Sequence, residues 1–270
     1  MNDTESIPAT VAVGYKRFGV PLLLISGPHT DHETLLTILE IAEPRIPDNA
    51  CEVVPTSFNP DDPKLRAFPR PLNWRWTSCE LALRAFKSSG IMMRLPLFWQ
   101  VEPALFAAGQ AAGAPIFVND QGNMPVGAAA IRTASMDTVV TDTEDAQRFS
   151  SYLLKRGAQF PAAWIIVHPI LQKAWTIPAP LRSGTAHVAQ EVHLFPGVPV
   201  LEQCEKLAAR KEPVFHLSES YLFEVEGGAT YLTSIGDDPL PLFRYALPVT
   251  IAQGERCSCG KKVATRVEEG

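Results

Sequence analysis

Cys257 and Cys259 stand one residue apart, with Ser258 between them and Gly260 after them. Two thiolates this close can serve one metal ion, and a zinc site needs four ligands, so two further donors must come from elsewhere in the chain. Cys204 and His216 are the nearest candidates and would complete a set of three cysteines and one histidine. A turn carrying two reduced thiols is the competing reading of the same residues. His29, Asp31, His32 and Glu33 form a second group of metal-binding types. There Glu33 follows Thr30 at the spacing of a capping box, so the group reads as the start of a helix.

Other groups lack the parts that their chemistry would need. Ser26 and Gly27 sit where a phosphate loop could begin, without the further glycines and lysine of that loop. Ser183, Gly184 and Thr185 beside Arg182 could offer backbone N–H groups to an anion, and read as an ordinary loop. No Gly-x-Ser-x-Gly elbow is present, and Cys79 lies inside a helical pattern where burial is a thiol's ordinary fate.

The elements that must position these groups follow from periodicity. An apolar run at 22–25 reads as a buried strand, and Leu35, Leu36, Ile38, Leu39 and Ala42 then give an amphipathic helix that must end before Pro44. The Pro-rich stretch 45–71 reads as a long surface loop or crossing segment. A helix over 78–89 leads through Gly90 to a strand at 91–98. The sequence of helix, glycine and strand recurs at 101–112, Gly113 and 115–118, and again at 143–156, Gly157 and 163–167. Such units predict an α/β fold, a mostly parallel sheet with flanking helices. From about residue 198 the period changes to two. Residues 221–226, the pair Gly227 and Gly228, and residues 229–235 read as a β-hairpin, and a further strand is expected over 242–251. Residues 1–197 are therefore expected to form the α/β part and 198–270 a small β-rich subdomain.

With 270 residues, 46% of them hydrophobic and 20% charged, the chain can bury a substantial core without disulfide staples, and disorder is excluded. The net charge of -5, with no basic run, makes nucleic acid an unsuitable partner. No apolar stretch approaches the roughly 20 residues of a spanning helix, and residues 1–8 lack a signal core. The chain therefore reads as cytoplasmic, without a membrane partner, and its five cysteines, an odd number, point to reduced thiols or a metal site over a disulfide framework.

The last seventy residues carry a resemblance. His216 to Val225, then Tyr231 to Ser234, then Leu240 to Tyr245, and finally Cys257 to Lys261 with its Cys-x-Cys-Gly string resemble, in order, segments of the phenylacetate-CoA ligase-like and coenzyme F390 synthetase-like members of the adenylate-forming superfamily. Residues 107–118 and 143–157 sit where that family has comparable segments, so the resemblance spans roughly 80–265. It implies carboxylate activation with ATP and Mg²⁺. It places Glu205 at the Mg²⁺ glutamate and draws His216 and Arg244 into the site. The departures are as informative. After Arg244 and Tyr245 come Ala246, Leu247, Pro248 and Val249 instead of the ribose-binding aspartate, Cys204 and Leu201 replace two motif residues before Glu205, and no lysine-bearing phosphate loop occurs.

The chain also stops near where the family's mobile C-terminal domain would begin. Loss of these groups removes most of the electrostatics that stabilise the transition state. The expectation is a degenerate homologue that binds an aryl or acyl carboxylate or its carrier, or that pairs with a catalytic partner, as an accessory component of a biosynthetic pathway. The rivals are an enzyme acting on an activated acyl substrate through Glu205, His216 and Arg244, a split ATP-dependent ligase completed by a second chain, and a purely structural interaction partner.

Overall fold

The computed structural model describes residues 51–55, 58, 59, 61, 67–71, 76–234, 242 and 244–267. The expected strand at 22–25, the turn at Ser26 and Gly27, the group from His29 to Glu33 and the helix at 35–42 lie outside the described residues. Two compact units divide the chain. One comprises Arg75–Leu217 with Gln253–Thr265, and the other Met1–Trp74 with Ser218–Ala252 and Arg266–Gly270.

The first unit is built from helix and strand in alternation. In chain order it has α1 (Thr77–Ala85), β3 (Ile91–Arg94), α2 (Glu102–Ala112), β4 (Ile116–Val118), α3 (Met124–Thr133), β5 (Thr138–Asp142), α4 (Thr143–Lys155) and β6 (Ala163–Pro169). The short α5 (Ala179–Ser183), then β7 (His187–Phe195), β8 (Val198–Glu202), α6 (Glu205–Ala208) and β9 (Phe215–Leu217) follow, and β13 (Ile251–Arg256) and β14 (Lys262–Arg266) return late in the chain. They form one nine-stranded sheet in the order β13-β14-β9-β8-β7-β6-β5-β3-β4. From β4 through β7 neighbouring strands are parallel, whereas β8 pairs antiparallel with β7, β9 with β8, and β14 with β9.

The α/β architecture with helices flanking the sheet is thus observed, with the parallel character confined to one half. Parallel strands covered by helices on both faces are apolar along their length. Residues 163–168 of β6 and 188–195 of β7 are accordingly all buried. Helix α4 lays Ala146, Phe149 and Leu153 on Val139, Trp164 and Ile166 of the sheet.

The sheet does not stop at 197. Gly197 takes φ 77 in the turn between β7 and β8, and Val192 pairs with Leu201 across it, so β8 and β9 extend the same sheet. Two elements end early. Helix α1 stops at Ala85, because Lys87 adopts the left-handed φ of 54 that was expected at Gly90. Gly90 instead allows close packing, since a Cβ there would stand 2.8 Å from the Ser135 carbonyl oxygen. Strand β3 stops at Arg94, and a 3-10 turn over Leu97–Trp99 follows Pro96.

In the second unit β1 (Cys51–Pro55) and β2 (Ala67–Pro71) pair antiparallel. Strands β10 (Tyr221–Glu226), β11 (Ala229–Ser234) and β12 (Tyr245–Ala246) form a three-stranded antiparallel sheet. Gly227 and Gly228, at φ 58 and 84, make the expected tight turn. Of the strand expected over 242–251, the described residues place Tyr245 and Ala246 in β12, after Arg244 at φ 42 and before the bend at Pro248, and Ile251 at the start of β13.

Candidate metal centre

Four side chains far apart in sequence meet at the edge of the first unit. Cys204 caps the first turn of α6, His216 is the middle residue of β9, and Cys257 and Cys259 occupy the turn between β13 and β14. Strand pairing brings them together. Glu202 pairs with His216 across β8 and β9, and His216 pairs with Val263 across β9 and β14. The turn has its own hydrogen bonds: the Cys257 N–H donates to the Lys261 carbonyl at 2.9 Å and the Gly260 N–H to the Cys257 carbonyl at 2.8 Å. Gly260 sits at φ 93, a conformation that side-chain-bearing residues rarely adopt.

The donor atoms of the four residues all lie within 4.8 Å of one another. His216 Nε2 stands 3.3 Å from Cys204 Sγ and 3.2 Å from Cys259 Sγ, and Cys204 Sγ stands 3.9 Å from Cys257 Sγ. The other ring nitrogen, Nδ1, lies 2.8 Å from the Lys262 carbonyl oxygen. A carbonyl only accepts, so Nδ1 carries the hydrogen and Nε2 presents a lone pair to the thiols. Hydrogen bonding from the Cys259 N–H holds the Cys257 thiol below its ordinary range. Burial pushes the Cys204 thiol up, against the opposing effect of the Leu207 and Lys206 N–H groups. His216 and Cys257 are buried, whereas Cys259 is exposed.

A pocket of about 230 Å³ adjoins Cys204. Leu81, Ala82, Ala85 and Phe86 of α1 supply an apolar part of its lining, and Glu202, Glu205 and Lys261 supply charge. The Lys261 ammonium pairs with the Glu202 carboxylate at 3.0 Å. Glu205 is the exposed first residue of α6. Arg244 belongs to the second unit, where its guanidinium pairs with Glu226, lies 3.5 Å from Glu224, and sits 5.0 Å over the Tyr231 ring. Glu205 and His216 therefore border the same cysteine, and Arg244 is engaged within the β10–β11 hairpin. The small loop at Ser183 and Gly184 is held by Lys211, whose ammonium donates to the Leu181 and Gly184 carbonyls.

A buried polar network at the carboxyl ends of the parallel strands was not read from the sequence. Arg94 donates to both oxygens of Asp145, at 2.8 and 2.9 Å, and stacks 4.1 Å from the centre of the Phe149 ring. Gln121 donates to Asp142 at 2.6 Å. His168 bridges the Thr143 hydroxyl at 2.7 Å and the Gln190 side-chain oxygen Oε1 at 3.0 Å, and burial lowers its pKa to about 4. Ligands of open α/β sheets bind at this edge. Here the groups satisfy one another, and Arg94, Asp145, His168 and Gln190 are fully buried. The sequence signal was the arginine that ends the apolar string Ile91–Arg94.

No protein-family model and no curated protein matches the chain. Solved structures do. VinN superposes with a TM-score of 0.52 at 12% identity, over 78% of this chain and 58% of VinN. The o-succinylbenzoate CoA synthetase MenE of Bacillus subtilis, bound to its product analogue OSB-NCoA, superposes at 0.53 and 10% identity, over 86% of this chain and 54% of MenE. The same synthetase in complex with AMP gives 0.50 at 13% identity, over 78% and 47%. The chain spans about half the length of these structures. At such identities the likeness is one of fold: the α/β architecture, a sheet with flanking helices, that this chain shares with VinN and MenE.

Proposed function

We propose that the protein is a phenylacetate-CoA ligase-like member of the adenylate-forming superfamily that binds an acyl or aryl group and acts as an accessory component of a biosynthetic pathway, beside a catalytic partner, without adenylating on its own. The observation that carries this reading is the pocket between α1 and the β8–α6 segment. Its volume of about 230 Å³ lies below the usual range for drug-sized ligands, so it suits one aromatic ring or a short acyl chain. Two carboxylates, Glu202 and Glu205, face one ammonium, Lys261, which disfavours a free carboxylate and favours a neutral ester or thioester. The fold shared with a CoA synthetase and the acid-free stretch after Tyr245 support the same reading.

Calorimetric titration tests it, first with Mg-ATP and then with aryl and short-chain fatty acids and their N-acetylcysteamine thioesters. The expected outcome is silence with ATP, binding of a thioester above its free acid, and at least a tenfold loss of affinity in Ala85→Phe, which fills the pocket. Binding of ATP that is lost in Glu205→Ala would overturn the reading in favour of a split ligase. Turnover of a thioester without ATP would favour a working acyl-transferring enzyme. Silence with every ligand would leave an interaction partner.

A further inference from the structure

We propose that Cys204, His216, Cys257 and Cys259 hold one zinc ion in a closed structural site that fastens the β13–β14 turn to strand β9 and to the start of α6. The donor set decides the metal first. Three sulfurs and one imidazole nitrogen are the ligands of zinc and of other thiophilic ions, whereas magnesium and calcium require oxygen. Geometry decides next. Zn–S bonds of about 2.3 Å and Zn–N bonds of about 2.0–2.1 Å make a tetrahedron whose sulfurs stand about 3.8 Å apart and whose sulfur and nitrogen stand about 3.5 Å apart. The observed separations of 3.9 Å between Cys204 and Cys257, and of 3.3 and 3.2 Å from His216 to Cys204 and Cys259, lie within about 0.3 Å of those edges, and no pair of the four donor atoms stands more than 4.8 Å apart.

Second, the ligands are already oriented. The hydrogen bond from His216 Nδ1 to the Lys262 carbonyl fixes the tautomer that leaves Nε2 free to ligate, as the outer partners of zinc-bound histidines do. Gly260, at φ 93, lets the chain turn so that Cys257 and Cys259 serve one centre. Four protein donors fill a tetrahedron and leave no position for water or substrate, which makes the site structural.

The sheet edge also needs such a fastening. Strand β9 has three residues and pairs with β8 and with β14 at two register positions each. An ion bound to β9, to the N-terminus of α6 and to the β13–β14 turn joins pieces that these short ladders hold weakly. Binding releases the thiol protons, and the binding free energy adds to the stability of this edge.

The experiment is metal analysis of the tag-free, full-length protein purified without chelator from zinc-supplemented cells. One zinc per chain is expected. Cobalt added to the reduced, metal-stripped protein should give the intense visible bands of tetrahedral Co²⁺ and thiolate-to-metal charge transfer, at one equivalent. Cys259→Ser changes the exposed ligand and should weaken zinc, measured against a competing chelator, by tenfold or more. Chelation of the wild type should raise hydrogen exchange over 253–266 while α4 and β6 stay protected. A folded protein that takes up neither zinc nor cobalt, a different metal at full occupancy, or a Cys204–Cys257 disulfide that persists in protein freshly purified under thiol reductant would each overturn the proposal. If Cys259→Ser fails to fold, the cobalt titration of the wild type still decides. Acyl binding is read separately, so loss of either proposal leaves the other standing.

Discussion

Arg94 and Asp145 show what a single residue carries here. Both side chains are fully inaccessible, and their paired hydrogen bonds leave neither charge exposed to water. Asp145→Ala strands the guanidinium, and an uncompensated buried charge costs about 3–5 kcal/mol. Denaturant unfolding of the variant should show that loss, and the double replacement Arg94→Met with Asp145→Leu should recover most of it. A loss below about 1 kcal/mol in the single variant would mean that water reaches Arg94. Some residue-scale chemistry was legible early. Cys257, Cys259 and Gly260 announce themselves because they are sequence neighbours. The approach of Cys204 and His216 depends on β8, β9 and β14 pairing in one register, which spacing along the chain does not contain.

At the scale of elements, helix α3 was missed and packs closely. Two of its three buried residues, Gly127 and Ala130, are small, so it lacks the broad apolar stripe by which α4 is recognised, although Asn123 caps it by accepting from the Val126 N–H and Pro125 lies in its first turn. Gly127 sits where a Cβ would stand 2.9 Å from Asn119 Nδ2, 3.0 Å from Arg94 Nη1 and 3.1 Å from Phe149 Cζ. Gly127→Ala gains helix propensity of about 1 kcal/mol and loses about 1–3 kcal/mol to overpacking. Net destabilisation is expected in thermal unfolding, and a stabilised variant would show that α3 can shift. Strands β5 and β7 were missed for a related reason. Polar side chains inside them, such as Thr141, Gln190, Glu191 and His193, interrupt the apolar signal and are buried against hydrogen-bond partners. Trp76 Nε1 and His193 Nε2 both meet Glu191 Oε2, at 2.6 and 2.9 Å.

At the scale of the whole molecule, His168 couples the fold to pH. Folded, it is buried and its pKa is lowered from 6.5 to about 4. Above about pH 6.5 it is neutral in both states and contributes no pH dependence. As pH falls from 6.5 towards 4, the unfolded chain takes up a proton that the folded protein excludes, so stability declines, and below about 4 the decline from this group ends. The shift corresponds to about 3 kcal/mol. Asp142 acts with the opposite sign, because burial raises its pKa and the folded state then binds its proton more readily. The test therefore compares wild type with His168→Gln by denaturant unfolding from pH 7 to 4. The advantage of the wild type should shrink by up to about 3 kcal/mol across that range, and a constant difference would refute a neutral buried imidazole. Among the described residues no helix is long and apolar enough to cross a membrane.

The alternation of helices, left-handed glycines and apolar strands, the β-hairpin at Gly227 and Gly228, and the paired thiols of the last turn were determined by sequence alone. Each rests on interactions between residues a few positions apart: the helical repeat of α2 and α4, the positive φ of Gly113 and Gly157, and the two-residue turn. Only the tertiary structure decided that the sheet continues through β8 and β9, that Arg244 is taken up by Glu224 and Glu226, and that Cys204 and His216 reach Cys257 and Cys259. These outcomes depend on strand order and register. Strand order and register are set by how whole faces bury together, so no local pattern in the chain encodes them.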